Sequence, residues 1–180
     1  RFMKKFTAWM LAAAFACSFA MLAGCAQGQD SPLEGTAAVV LDRGTDGEDR
    51  YTRFTLDLAE AGLTSSDKGI DVLEALRAQG LYYSGTYTSS FGAYLNEIGI
   101  ETPAENPSYE GETVQAPILL PEGNNYIALY TSVIEEGNPD PENWGGTIEY
   151  DGTNVYYAML GISSLSIVDG VVYYFTVAAY

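Results

Sequence analysis

An α+β fold is predicted by three features of this sequence. Two β-prone runs, Ala37–Asp42 and Tyr51–Leu58, flank a turn rich in glycine and aspartate. A short amphipathic helix is written over Val72–Gln79. The long remainder of the chain is turn-rich and β-prone. A hairpin, then a helix, then strands that complete a mixed sheet is the element order of a single β-grasp-like domain.

The first element read along the chain is an export signal. Arg1 and Phe2 precede Met3, the expected start, which is followed by Lys4, Lys5 and an apolar run from Phe6 to Leu22. Leu22-Ala23-Gly24 then leads into Cys25. A charged n-region, an apolar h-region and small residues at a cleavage point make up a signal peptide. With a cysteine directly after Leu-Ala-Gly, residues 1–24 look like a bacterial lipoprotein signal, and Cys25 is the expected site of lipid attachment. The alternatives are an ordinary secretory signal or a membrane anchor. The apolar run includes Thr7 and Ser18 and is short of the ~20 residues that span a bilayer. Ala26–Gln29, which follow it, carry no stop-transfer charge. A lipoprotein N-terminus bears more than one acyl chain, which gives stable anchoring. Ala26 is not the aspartate that signals inner-membrane retention, so the expected display faces outside the cytoplasm.

Residues 25–36 are polar with Gly and Pro, and read as a lipidated tether. The predicted domain occupies 37–180. In its first hairpin Phe54, Leu56 and Leu58 point one way, and Arg53, Thr55 and Asp57 the other. For the helix, Asp71 is the expected N-cap and Glu74 completes a capping-box spacing. Val72, Leu73 and Leu76 form its apolar face, and Gly80 is placed to end it. Two turns do not stand alone in water, so the helix must dock on a sheet. Tyr126–Tyr130 alternates, with the tyrosines and Ala128 on one face and Ile127 and Leu129 on the other. Asp169-Gly170 is a turn signal before Val171–Val177, which reads as a strand covered on both sides. Thr102–Gly111 and Gly137–Gly146 are expected as surface excursions.

Composition excludes more than it names. Beyond residue 24 there are five basic residues (Arg43, Arg50, Arg53, Lys68, Arg77) against 24 acidic ones, a net charge of −19. Such a surface is repelled by phosphates, so nucleic acid is not an expected partner. There is no histidine, which removes imidazole general-base catalysis and histidine metal sites. Cys17 falls in the signal and Cys25 is expected to be a thioether, which leaves neither a nucleophilic thiol nor a disulfide. Neither a nucleophile elbow nor a phosphate-binding loop is present. Paired carboxylates among the 24 could still carry out glycoside hydrolysis, though their number makes no particular pair informative.

Two acidic clusters invite a metal reading and fail it. Asp42, Asp46 and Gly47 match three positions of a calcium loop, but Gly44 replaces a ligand and Arg53 stands where a bidentate glutamate belongs. That loop, with Glu48 and Asp49, and the cluster Glu135, Glu136, Asp140 and Glu142 are expected to be solvated. The fourteen tyrosines point elsewhere. Aromatics line ligand sites and also fill strands, so most are expected to pack. Phe91, beside Gly92, and Trp144, beside Gly145-Gly146, are the better ligand contacts, joined by Tyr94 and Tyr130.

Several segments together carry a resemblance. They are Gly69-Ile-Asp-Val-Leu-Glu-Ala-Leu76, Phe91-Gly-Ala-Tyr-Leu-Asn-Glu-Ile98, Asn125-Tyr-Ile-Ala-Leu-Tyr130, Gly161-Ile-Ser-Ser-Leu165 and Asp169-Gly-Val-Val-Tyr-Tyr-Phe175. In this order they resemble a bacterial domain of unknown function related to the C-terminal domain of transcobalamin and intrinsic factor, over about residues 37–180. The chain departs from that family's pattern at Tyr126-Ile127 and at Asp169-Gly170-Val171. The resemblance implies a β-grasp-like domain of exported proteins and, as a first ligand, a corrinoid such as cobalamin.

The expectation is therefore a non-enzymatic cell-surface lipoprotein without metal or cofactor, whose domain binds a corrinoid or another small molecule. The competing expectation is a structural or adhesive surface protein whose domain binds another protein.

Overall fold

A computed structural model describes residues 30–88, 90–103 and 113–179. The expected signal segment, Cys25 included, lies outside the described residues, and the chain from Ser31 on forms one compact unit. The polar stretch read as a tether is docked from Ser31 onward. The Leu33 N–H donates to the Leu63 carbonyl at 2.9 Å and the Ser31 N–H to Ser65 Oγ at 3.2 Å. Leu33 packs on the core, and this apolar residue in a polar run ties the stretch to the domain.

The hairpin forms as its alternation dictates. Strands β1 (Thr36–Asp42) and β2 (Tyr51–Asp57) pair antiparallel, with Val39 opposite Phe54 and Val40 opposite Arg53. Helix α1 (Gly69–Leu76) follows, extended by a tighter turn to Gln79. Its N-cap is Lys68 rather than Asp71. Asp71 lies inside the first turn, where its carboxylate accepts the Lys68 N–H at 2.8 Å. An acidic residue caps equally well from the third helical position reaching back, which moved the true start upstream of the expected one. Gly80 (φ 86°) closes the helix as expected, donating to the Arg77 carbonyl at 3.0 Å. Val72, Leu73 and Leu76 are fully buried.

Strands β3 (Leu81–Thr88), β4 (Gly92–Pro103) and β5 (Thr113–Leu119) make a small antiparallel sheet. Thr102 and Pro103 thus end a strand instead of opening an excursion. Strands β6 (Asn125–Thr131), β7 (Thr147–Tyr150), β8 (Thr153–Tyr157) and β9 (Val171–Ala179) join the hairpin in a six-stranded mixed sheet, ordered β2-β1-β9-β6-β8-β7. The last strand, β9, runs parallel to β1 and antiparallel to β6. Among the described residues the structure is mostly strand with one short α-helix, so the domain is α+β.

The large sheet is buried on both faces, for different reasons. On one face Val39, Leu41, Phe54 and Phe175 meet α1, through Leu73 and Leu76, and the small sheet, through Leu95 and Ile98. On the other, Val40, Ala128, Tyr130, Val155, Val172 and Tyr174 form a second core. The sheet encloses this second core by curling until its two edge strands meet. Tyr51 of β2 lies edge-on to Tyr150, the last residue of β7, with ring centroids 5.1 Å apart, and Arg53 reaches Asp151 at 3.3 Å. Val171–Phe175 are buried, as a centrally placed strand requires.

Asp42 corrects the reading of the hairpin turn as wholly solvated. It is 4% exposed, and its carboxylate accepts Arg50 Nε and Nη2, both at 2.9 Å. The Gly44 N–H at 2.8 Å and the Tyr174 hydroxyl complete its shell. Burial alone would raise this carboxyl, but those hydrogen bonds outweigh it and hold the group below the ordinary aspartate value.

Candidate functional site

The site is built where the small sheet meets the curled end of the large one. Tyr94, Leu95 and Asn96 come from β4, Tyr126 and Ile127 from β6, and Tyr157 from the end of β8. Together they line a cleft of about 420 Å³. Strand alternation explains the composition: Tyr126 and Tyr130 share a face of β6, and Tyr130 lies opposite Tyr157 in the ladder. The rings of Tyr130 and Tyr157 meet edge to face at 5.5 Å, and the Tyr157 hydroxyl donates to the Tyr126 hydroxyl at 3.4 Å. Burial first, then that hydrogen bond, pushes the Tyr157 hydroxyl well above the usual phenol range. It is a neutral hydrogen-bonding group at any physiological pH.

The 137–146 loop holds this arrangement in place. Asn138, 5% exposed, donates through its amide to the carbonyls of Trp144 (2.6 Å) and Asp140 (3.2 Å), and its side-chain oxygen accepts the Asp140 N–H (3.0 Å). The Tyr130 hydroxyl donates to the Gly145 carbonyl at 2.9 Å. At Gly145, with φ 75°, a Cβ would sit 2.6 Å from that of Tyr157, so only glycine lets the loop approach so closely. The result sets the Trp144 ring against Tyr157, centroids 5.2 Å apart, while leaving it half exposed.

Of the four residues expected to touch a ligand, three are gathered around Tyr157. Tyr94 (43% exposed) lines the cleft and Trp144 (49% exposed) stands against Tyr157. Tyr130, at 8% exposed, has a buried ring, and its hydroxyl donates to the loop at Gly145. Phe91 lies elsewhere, before β4, where its carbonyl accepts the Gly161 N–H at 2.6 Å; its ring is exposed and is not part of the cleft lining. Sequence reasoning passed over Tyr126 and Tyr157 as lining residues. The period-2 pattern of Tyr126–Tyr130 placed Tyr126 on the right face but did not say what lay opposite.

Charge is absent from the lining. Among the described residues no three Asp, Glu, His or Cys side chains come together as a metal site requires. Glu136, expected in a solvated cluster, turns inward and accepts the Ser166 N–H at 2.8 Å; Asp140 is tied to the Asn143 amide. A larger open groove of about 640 Å³ runs between β2 and α1, lined by Thr55, Asp57, Ala75, Ala78 and Gln79. Its small side chains supply no aromatic wall. No protein-family model and no curated protein matches this chain.

Proposed function

We propose that the chain is an exported, lipid-anchored and non-enzymatic protein whose β-grasp-like domain holds a small ligand in the cleft of Tyr94, Tyr126 and Tyr157. One observation carries this reading. Three tyrosines from strands far apart in sequence converge on an uncharged cleft, backed by a loop whose hydrogen bonds fix it in place. The β-grasp reading is supported by the strand order: an N-terminal hairpin, a helix packed on one face, and a final strand inserted parallel to β1. The export reading is supported by the Lys4-Lys5, apolar-run and Leu22–Cys25 sequence.

At about 420 Å³ the cleft is near the lower end of ligand pockets, roughly 300–1,000 Å³. That favours a compact molecule over a whole corrinoid, of which the cleft would seat only an edge. Calorimetry of the full chain in non-ionic micelles, against cobinamide, cobalamin and a set of compact ligands, tests the reading. Binding that Tyr94→Leu weakens at least tenfold supports it; no heat from any ligand overturns it. For the anchor, Cys25→Ser is expected to move the protein from the membrane fraction to the soluble one, and unchanged partitioning overturns lipidation.

A second reading, adhesion to another protein, draws on Tyr87 and Phe91, which flank the β3–β4 turn at 72% and 55% exposed. Loss of surface binding in a Tyr87→Ser/Phe91→Ser variant with an intact cleft would favour it.

A further inference from the structure

We infer that the cleft selects a weakly hydrated organic cation, of the quaternary ammonium class. This rests on the ligand-cleft reading above and narrows it by charge. The lining consists of three phenol rings, one amide and two aliphatic side chains, with neither an acid nor a base among them. An anionic ligand would find no cationic partner there. The basic residues beyond the leader all lie between 43 and 77, on segments other than the strands that build the cleft. The four arginines are already engaged: Arg43 with the Asp49 carbonyl, Arg50 with Asp42, Arg53 with Asp151 and Arg77 with Glu74.

A primary ammonium is also poorly served. It is strongly hydrated and needs a carboxylate or several acceptors to replace its water, and the lining has no carboxylate. A quaternary ammonium has no N–H to satisfy. It gains from the negative faces of aromatic rings, which is how aromatic cages recognise methylated amines. Tyr94, Tyr126 and Tyr157 supply such rings, and the Asn138 and Tyr130 hydrogen bonds hold the 137–146 loop, with Trp144, against Tyr157. The remainder of the chain adds the long-range field. A net charge of −16 concentrates cations near the surface, and an uncharged cleft in that field accepts them without a fixed counter-ion.

The test compares choline with its neutral carbon isostere, 3,3-dimethylbutan-1-ol, which has the same shape without the charge. Calorimetry on the full chain in non-ionic micelles is expected to show choline binding with Kd on the order of 0.1–1 mM. The isostere should bind at least about tenfold more weakly, and 0.5 M salt should weaken choline. Tyr94→Leu, at a site 43% exposed, should weaken choline by a similar factor. Tyr157→Leu serves as the second variant, with circular dichroism as its folding control. Equal binding of choline and isostere overturns the cation inference while leaving the ligand cleft standing. The same holds if only a neutral ligand binds in a Tyr94-dependent way. No binding of any ligand overturns both.

Discussion

Replacing Asp42 with alanine removes one acceptor from four hydrogen bonds at once, and the structure sets how much that costs. The Tyr174 side chain is completely buried, so its hydroxyl is left without a partner, at about 1–3 kcal/mol. Arg50 is different. Its side chain is 37% exposed and rehydrates, so losing the ion pair adds little. The Gly44 N–H sits in an exposed turn and finds water. The total expected loss is therefore about 1–3 kcal/mol, set chiefly by the orphaned hydroxyl. In Asp42→Ala/Tyr174→Phe the orphaned hydroxyl is gone, so the double variant should be less destabilised than the sum of the singles by about 1–2 kcal/mol. pH supplies an independent check. Asp42 titrates below its unfolded value, so its contribution is present above that value, about 3.9, and is lost as pH falls through the folded one. Urea denaturation followed by near-ultraviolet circular dichroism, at pH 7 and in steps down to pH 2, measures all three quantities. A loss under about 0.5 kcal/mol, additive singles, or a gap unchanged at low pH would refute the reasoning.

Tyr130→Phe keeps the ring but frees the Gly145 carbonyl. In a Trp9→Phe background, where Trp144 is the sole tryptophan, its emission should shift to the red with a stability loss of about 1 kcal/mol; an unchanged spectrum contradicts the loop's anchoring. Tyr173, Tyr174 and Tyr157 all have hydroxyls raised above the ordinary phenol value, chiefly by burial, and Tyr83 is pushed up to about 12. Groups held neutral in the fold stabilise it fully below the unfolded value of about pH 10, and this contribution is lost as pH rises from there through their raised folded values, so these rings should ionise together with unfolding. Absorbance at 295 nm showing one smooth titration near pH 10 with the fold intact would count against that. Leu76→Ala, at a fully buried position of α1 facing the first core, should cost about 2–5 kcal/mol in urea denaturation; a loss below 1 kcal/mol would mean the helix is not docked as described.

How much of this fold the sequence revealed depended on how local each signal was. The β1–β2 hairpin, the end of α1 at Gly80 and the doubly covered β9 are written in short-range patterns, and each was legible. The small sheet was not, and its glycines explain why. Gly85 and Gly99 lie inside strands beside shifts in register, where no local pattern announces a strand. A Cβ at Gly99 would come within 2.2 Å of the Ala116 carbonyl oxygen, and one at Gly85 within 2.6 Å of that of Tyr94. They are bulge glycines at close backbone contacts, which a single sequence does not distinguish from turns. Asp42 was misread for a related reason: its partners Arg50 and Tyr174 lie 8 and 132 residues away, and only the second shows it to be buried. In the site, neighbouring glycines singled out Phe91 and Trp144, of which Trp144 stands against Tyr157 and Phe91 lies outside the cleft lining. Tyr157 was missed because strand order, not local pattern, sets β8 beside β6.

The cleft is tested most directly by nuclear magnetic resonance of the full chain in micelles with ring-labelled tyrosines, titrated with choline and, in parallel, with neutral compact ligands. The account predicts saturable shifts at Tyr94, Tyr126 and Tyr157, with Tyr51 and Tyr87 unmoved. Shifts centred on Tyr87, or no saturable shift at the three cleft rings with any ligand, would contradict it.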